Sequence, residues 1–194
     1  MSPCILVAGI GNIFLQDDGF GVEVAKRLAD SELPEGVKVA DFGIRGVHLA
    51  YEMLDGGYDT TILIDAAPRG EAPGTVYLIE PDLDNIDAQQ SASMDAHSMD
   101  PQVVFATLKS LGGSPRRVLI VGCEPLVIDD GIGLSEPVGR AVEEAVRLVH
   151  SVVDDLAAER MSQEVVAKRS SDIPRVKRFC AIPERSVAAR RNHA

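Results

Sequence analysis

The sequence is short of cysteine, of long apolar runs and, over most of its length, of basic residues. Each shortage closes off a class of protein. Of 194 residues only three are cysteine, Cys4, Cys123 and Cys180. They are widely spaced and form no CxxC pair, so neither a disulfide framework nor a zinc knuckle is expected. So sparse and odd a set fits a reducing cytoplasm. No stretch reaches the ~20 consecutive apolar residues of a membrane span. Cys4 opens an apolar run with no basic segment before it, so a secretory leader is not expected. The nucleophile elbow GxSxG and the zinc motif HExxH are both missing. The cysteines have no nearby histidine in a protease signature. Residues 1–154 carry 10 Lys+Arg against 25 Asp+Glu, a formal −15. Such a body is a poor nucleic-acid binder.

What remains is a sequence with 45% hydrophobic and 25% charged residues, the balance of a soluble globular protein. Its length suits one domain with a sizeable core. The chain is organised around residues 3–28, PCILVAGIGNIFLQDDGFGVEVAKRL. Residues 4–8 form a short apolar run, the mark of a central parallel strand buried on both faces. Gly9 and Gly11 break it, and Asn12 tolerates the left-handed backbone of a tight turn. From about Asp18 the period becomes helical, with Phe20, Val24 and Leu28 on one face. Gly9 and Gly11 supply two glycines of a dinucleotide fingerprint, but the third position is Phe14. Asp17 and Asp18 also occupy the field of the helix N-terminus, where a pyrophosphate would sit. Asp17 reads equally well as an N-cap; Asp18 reads as a site residue.

The body then alternates strand and helix. Residues 37–42 read as a second strand, Val47 to Leu54 as a helix closed by Gly56 and Gly57, and residues 60–64 as a third strand with Asp65 at its end. Two βαβ units in succession imply a parallel sheet with right-handed crossovers. Only about ten residues, rich in Pro and Gly, lead to the next strand, residues 75–80. A parallel return needs a dozen or more, so this strand is expected to be antiparallel. Residues 81–96 read as a polar surface loop or lid, with His97 at its far end before a helix from about Asp100 to Leu111. Residues 117–122 are the last strand. Ser135 is the expected N-cap of a last helix reaching about Ala158. The fold expected is a three-layer α/β sandwich with a mostly parallel five-stranded sheet, one antiparallel strand and helices on both faces. Residues 1–158 form its domain. Residues 159–194 form a basic tail expected to be disordered, or to hold at most a short, loosely held helix; residues 155–194 carry 9 Lys+Arg against 5 Asp+Glu.

In such a sheet, ligands bind outside the carboxyl ends of the strands, where strand order reverses. Asp18, Asp41, Asp65 and Glu124 all follow or end strands on that edge. If the first and third strands are neighbours, Asp18 and Asp65 face each other there. His97 arrives from the long loop, and two carboxylates with an imidazole suit a divalent transition metal. Taken singly, each acid also reads as a cap or turn residue and the histidine as a solvated one.

The pattern Gly9-Ile10-Gly11-Asn12, Asp17-Asp18-Gly19-x-Gly21, Ile64-Asp65-Ala66, Pro73-Gly74, Asp95-Ala96-His97, Gly122-Cys123-Glu124-Pro125 and Gly133-Leu134-Ser135 resembles the nickel–iron hydrogenase maturation endopeptidases. The resemblance covers roughly residues 5–152. It implies an enzyme that clips a C-terminal peptide from the hydrogenase large-subunit precursor after nickel insertion. It also implies that Asp18, Asp65 and His97 recognise the nickel, which belongs to the substrate. The family often has Asp-Gly-Gly-Thr after the second strand, where this chain has Asp41-Phe42-Gly43-Ile44. Its first-loop acid is often Glu rather than Asp.

For the chemistry, two carboxylates acting as an acid–base pair and a metal activating water and the scissile carbonyl both remain open. Asp41 is the candidate general base. A monomeric cytoplasmic endopeptidase is the expected function. The other classes are a nickel-binding accessory protein without hydrolytic activity and a nucleotide-binding α/β protein, which Phe14 and the Asp17–Asp18 charge disfavour.

Overall fold

The computed structural model describes residues 4–81 and 101–171, apart from the side chains of residue 102 and residues 163–171. The chain divides into two compact units, Met1–Ala158 and Glu159–Ala194. The first is a five-stranded sheet in the order β2-β1-β3-β5-β4. Its strands are β1 (Ile5–Ile10), β2 (Val37–Gly43), β3 (Thr60–Ala66), β4 (Val76–Ile79) and β5 (Val118–Cys123). The helices are α1 (Phe20–Ala29), α2 (Gly46–Asp55), α3 (Pro101–Ser110) and α4 (Glu136–Ser171). β1 pairs in parallel with β2 and β3, and β3 with β5. β4 runs antiparallel to β5, as the short β3–β4 connection requires.

The central strands are apolar on both sides because each side meets helices. Ile5 and Val7 of β1, Ile62 and Ile64 of β3, and Leu119 and Val121 of β5 pack with Phe20, Val24 and Leu28 of α1 and Val142, Ala145 and Val149 of α4. The alternate residues Leu6, Ala8 and Ile10 pack with Leu49 and Ala50 of α2 and Val104, Phe105 and Leu108 of α3. The period of two along the strands thus sorts one hydrophobic run into two cores. The result is the three-layer sandwich expected.

Most boundaries shift by a residue or two, and three departures have a physical reason. β3 continues through Asp65 to Ala66, because β5 runs alongside it in register, Asp65 opposite Gly122 and Ala66 opposite Cys123. Asp65 is therefore a buried strand residue rather than one just past the end. β2 carries a register shift opposite Gly9 and Ile10, with Gly43 at φ 51°. This is a bulge, which bends the strand end and re-aims its side chains. Finally, α4 reaches Ser171 rather than ending near Ala158. No glycine or proline occurs between Gly139 and Pro174, so nothing in that stretch breaks a helix. The lid at residues 81–96 falls almost wholly outside the described residues. His97 and the tail beyond Ser171, with its expected disorder, do so entirely.

Candidate active site at the carboxyl edge of the sheet

Strand order reverses between β1 and β3, the two central parallel neighbours. A single 3-10 turn, Gln16–Gly19, and the start of α1 lie over that point. Two glycines allow the approach. A Cβ on Gly21 would lie 2.0 Å from the Ile64 carbonyl oxygen and 2.4 Å from that of Ile10. A Cβ on Gly9 would lie 2.3 Å from the Gly21 carbonyl oxygen. No side chain fits in either gap, so helix backbone rests directly on the ends of β1 and β3. This contact sets the Asp18-bearing turn beside Ile64, the residue before Asp65.

Asp18 is half-buried. Its Oδ2 accepts the Asn12 N–H at 2.6 Å. Gly11, at φ 121°, lets the backbone pass so close that a Cβ there would fall 1.8 Å from the Asp18 carbonyl oxygen. Burial raises the Asp18 carboxyl above its ordinary value, while the Asn12 hydrogen bond pulls it down. A partly desolvated carboxylate held by one amide gains from a neighbouring cation. Asp65 is 6% exposed and has partners within the protein.

Asp41 precedes the bulge, opposite Gly9. It is exposed, whereas the next residue, Phe42, is buried in the α2–α3 core. Arg45 fastens this end of β2. Its Nε donates to the Phe42 carbonyl at 3.0 Å and its guanidinium also reaches the Asp41 carbonyl. Gly11 N–H donates to the Gly43 carbonyl at 3.1 Å, so the same glycine touches both the Asp41 and the Asp18 segments. Asp41 and Asp65 lie on strands separated by β1, roughly 10 Å apart at two strand spacings.

The other two acids of this edge are occupied by structure. Asp17 is fully buried and caps neither its own turn nor α1. Its carboxylate accepts the N–H groups of Leu126 (2.9 Å), Val127 (3.0 Å) and Ser135 (2.6 Å), and the Ser135 hydroxyl at 2.9 Å. The Ser135 hydroxyl is thus turned to Asp17 just before α4. Glu124 accepts the N–H groups of Arg69 (2.7 Å) and Gly70 (3.1 Å) and the Tyr77 hydroxyl at 2.7 Å. It latches the β3–β4 loop. The Tyr77 hydroxyl, then the backbone amides, lower its carboxyl against the effect of burial. Tyr77 is pushed up to about 12, first by burial and then by Glu124. Cys123 is fully buried and its thiol is raised to about 12, chiefly by burial. It is no thiolate nucleophile.

Asp18, Asp41 and Asp65 are the remaining acids on the described part of this edge. His97 lies outside the described residues. Among those residues, no three His, Cys, Asp or Glu side chains gather closely enough to hold a metal. The roles of Asp17 and Glu124 are not legible in the sequence, because their partners are distant along the chain.

Residues 22–152 match the family model described as hydrogenase maturation protease. The chain belongs to the hydrogenase maturation protease family. It is similar to the hydrogenase expression/formation protein HoxM of Azotobacter vinelandii, 34% identical over 178 residues, which span 90% of this chain and 81% of the relative. It is also similar to the hydrogenase 2 maturation protease of Escherichia coli K12, 28% identical over 164 residues, 84% of this chain and 98% of that one. Among solved structures, the E. coli hydrogenase maturating endopeptidase HybD superposes with a TM-score of 0.63 at 27% identity, covering 78% of this chain and 92% of that one. As a maturation protease, the protein is a peptide hydrolase, and the nucleotide-binding reading gives way. No helix of the described residues is long and apolar enough to cross a membrane.

Proposed function

We propose that this maturation protease removes the C-terminal peptide of a nickel–iron hydrogenase large-subunit precursor once nickel is in place. It reads that nickel through Asp18, Asp65 and His97, working as a monomer in the cytoplasm. The observation carrying the proposal is the close seating of α1 on β1 and β3 through Gly9 and Gly21. It sets the Asp18 turn beside the strand that bears Asp65. Carboxylate oxygens and an imidazole nitrogen suit a borderline divalent ion, and three protein donors leave positions for the substrate's own ligands. A precursor without nickel offers this trio nothing to bind, which ties cleavage to nickel insertion.

Asp41 is the general base in this proposal. It takes a proton from water as the water oxygen bonds to the scissile carbonyl carbon. The C–N bond then breaks, and the proton passes to the departing amine. Exposure just before the bulge suits a residue that must meet both water and an incoming peptide.

The test incubates the full-length protein with nickel-loaded and with nickel-free precursor and follows the large subunit's C-terminal mass. The expected result is cleavage of the loaded form alone, with sharp loss for His97→Ala and Asp65→Ala. Equal cleavage of both forms overturns the nickel-reading role. A stable complex with loaded precursor that is never cleaved favours a non-hydrolytic accessory protein instead.

A further inference from the structure

Two loops bordering Asp18 expose large apolar side chains to solvent. Phe14, in the β1–α1 loop, is 62% exposed, and Ile132, in the β5–α4 loop, is 82% exposed. Ile13, Leu126 and Ile128 on the same loops are also exposed. Isolated exposed apolar residues are ordinary, but such a group on adjoining loops marks an interaction site.

The two loops form one fixed unit. Gly131 N–H donates to the Phe14 carbonyl at 2.9 Å, and Gln16 N–H to the Gly131 carbonyl at 3.2 Å. Asp17 N–H reaches the Val127 carbonyl at 3.3 Å, and the Asp17 carboxylate holds Leu126, Val127 and Ser135 from below. Gln16 keeps a left-handed backbone, φ 49°, unusual for a residue with a Cβ. Its side chain packs over Gly131, where a Cβ would fall 2.8 Å from Gln16 Cγ. Buried charge and backbone strain are thus both accepted to hold these loops in one shape. Apolar groups presented on a rigid frame lose little further entropy when covered.

The platform is continuous with the proposed nickel-reading site. Asn12 joins the two, its N–H on Asp18 and its side-chain oxygen accepting the Phe14 N–H at 3.0 Å. Asp129 and Asp130 are exposed between Ile128 and Ile132, and the whole body is acidic. An apolar segment with a basic residue beside it complements this surface in both respects.

We propose that this platform grips the precursor segment bordering the cleaved bond, an apolar stretch flanked by a basic residue, and so sets which precursor is accepted. The inference rests on the function proposed above, since it takes the precursor as substrate. The platform contributes to substrate affinity and leaves the chemistry to the acids beside it.

The test measures KM and kcat for cleavage of nickel-loaded precursor by the full chain and by Phe14→Ser/Ile132→Ser. Tyr51→Ser, an exposed apolar position on α2, is the control. The double variant is expected to raise KM about tenfold, the scale for truncating anchors of an interface, with kcat within about twofold and Tyr51→Ser unchanged. Circular dichroism checks folding, and Ile132→Ser alone, at an almost bare position, serves if the double variant misfolds. A wild-type KM in the variants overturns the platform and leaves the proposed function standing. So does a change confined to self-association in sedimentation, which would assign the surface to a second copy of the chain. A wild type that cleaves no precursor overturns the proposed function, and the platform's role with it.

Discussion

Asp17 and Ser135 are separated by 118 residues and meet through two hydrogen bonds, the Ser135 N–H to Oδ1 at 2.6 Å and the Ser135 hydroxyl to Oδ2 at 2.9 Å. Their contact joins the first loop of the fold to the start of α4. It places a carboxylate where the positive end of that helix dipole favours it.

The first prediction follows from this clamp. Asp17→Ala leaves three part-buried amides and a hydroxyl without their acceptor. Bonds to a charged acceptor contribute about 1.5–3 kcal/mol each, and their losses here are shared rather than additive. A destabilisation of about 3–5 kcal/mol is expected in urea denaturation. Asp17→Asn should cost less, because one acceptor oxygen survives. A loss below about 1 kcal/mol for Asp17→Ala would remove the clamp from the account of stability.

Gly21 supplies the second. Alanine there sets a Cβ against two carbonyl oxygens, at 2.0 and 2.4 Å, and neither strand end has room to withdraw. α1 must lift from the sheet, at a cost of about 3 kcal/mol or more. Gly57→Ala is the contrast. Its φ is 66° but nothing lies within 4 Å, so only backbone strain of about 1 kcal/mol applies. Thermal melts of the two variants should therefore separate clearly. A Gly21→Ala melt as mild as that of Gly57→Ala would refute the direct seating of α1 on β1 and β3.

The order of elements and the antiparallel β4 were legible because they depend on local signals: apolar runs, glycine turns and a connection too short for a crossover. The acids of the site edge were legible for the same reason, since a residue at a strand's carboxyl end has its location fixed by topology. Asp17 and Glu124 were not. Their roles depend on partners such as Ser135 and Arg69, which become neighbours only after the sheet has formed. The β2 bulge is not legible either, because Gly43 reads as a loop glycine until Gly9 and Ile10 are set opposite it. The basic composition after Ala158 suggests a helix end there, but no helix breaker lies between Gly139 and Pro174 and α4 reaches Ser171.

A third prediction concerns pH. The Glu124 carboxyl is lowered from its ordinary 4.5, first by the Tyr77 hydroxyl and then by loop amides. A lowered acid stabilises the fold fully above the ordinary value, and that stability is lost as pH falls through the lowered one. Glu124→Gln should lower stability near neutral pH and flatten the acid limb of the stability profile below about pH 4.5. Tyr77→Phe should do part of the same. An unchanged acid limb in Glu124→Gln would show that the latch holds the β3–β4 loop by shape rather than by charge.

Asp18 should show the opposite sign. Burial raises its carboxyl, and the Asn12 N–H only partly offsets this. An acid raised in the folded state favours folding most when protonated. Its contribution is present below the ordinary value of 3.8 and is lost as pH rises through the folded value. At neutral pH the charge therefore works against stability, as is common for groups kept for function. Asp18→Asn keeps an oxygen for the Asn12 N–H and removes the charge. Its melting temperature should match or exceed that of the wild type near about pH 8, and the difference should vanish in acid. Processing of nickel-loaded precursor should nevertheless fall about a hundredfold, the scale for losing one charge-bearing group from a site. Asp18→Glu, one methylene longer, should retain most activity. The measurements are paired melts across pH and initial rates of C-terminal removal by mass spectrometry. An Asp18→Asn protein that processes normally would exclude this carboxylate from reading the metal. One that loses stability in step with activity would make Asp18 a structural residue like its neighbour Asp17.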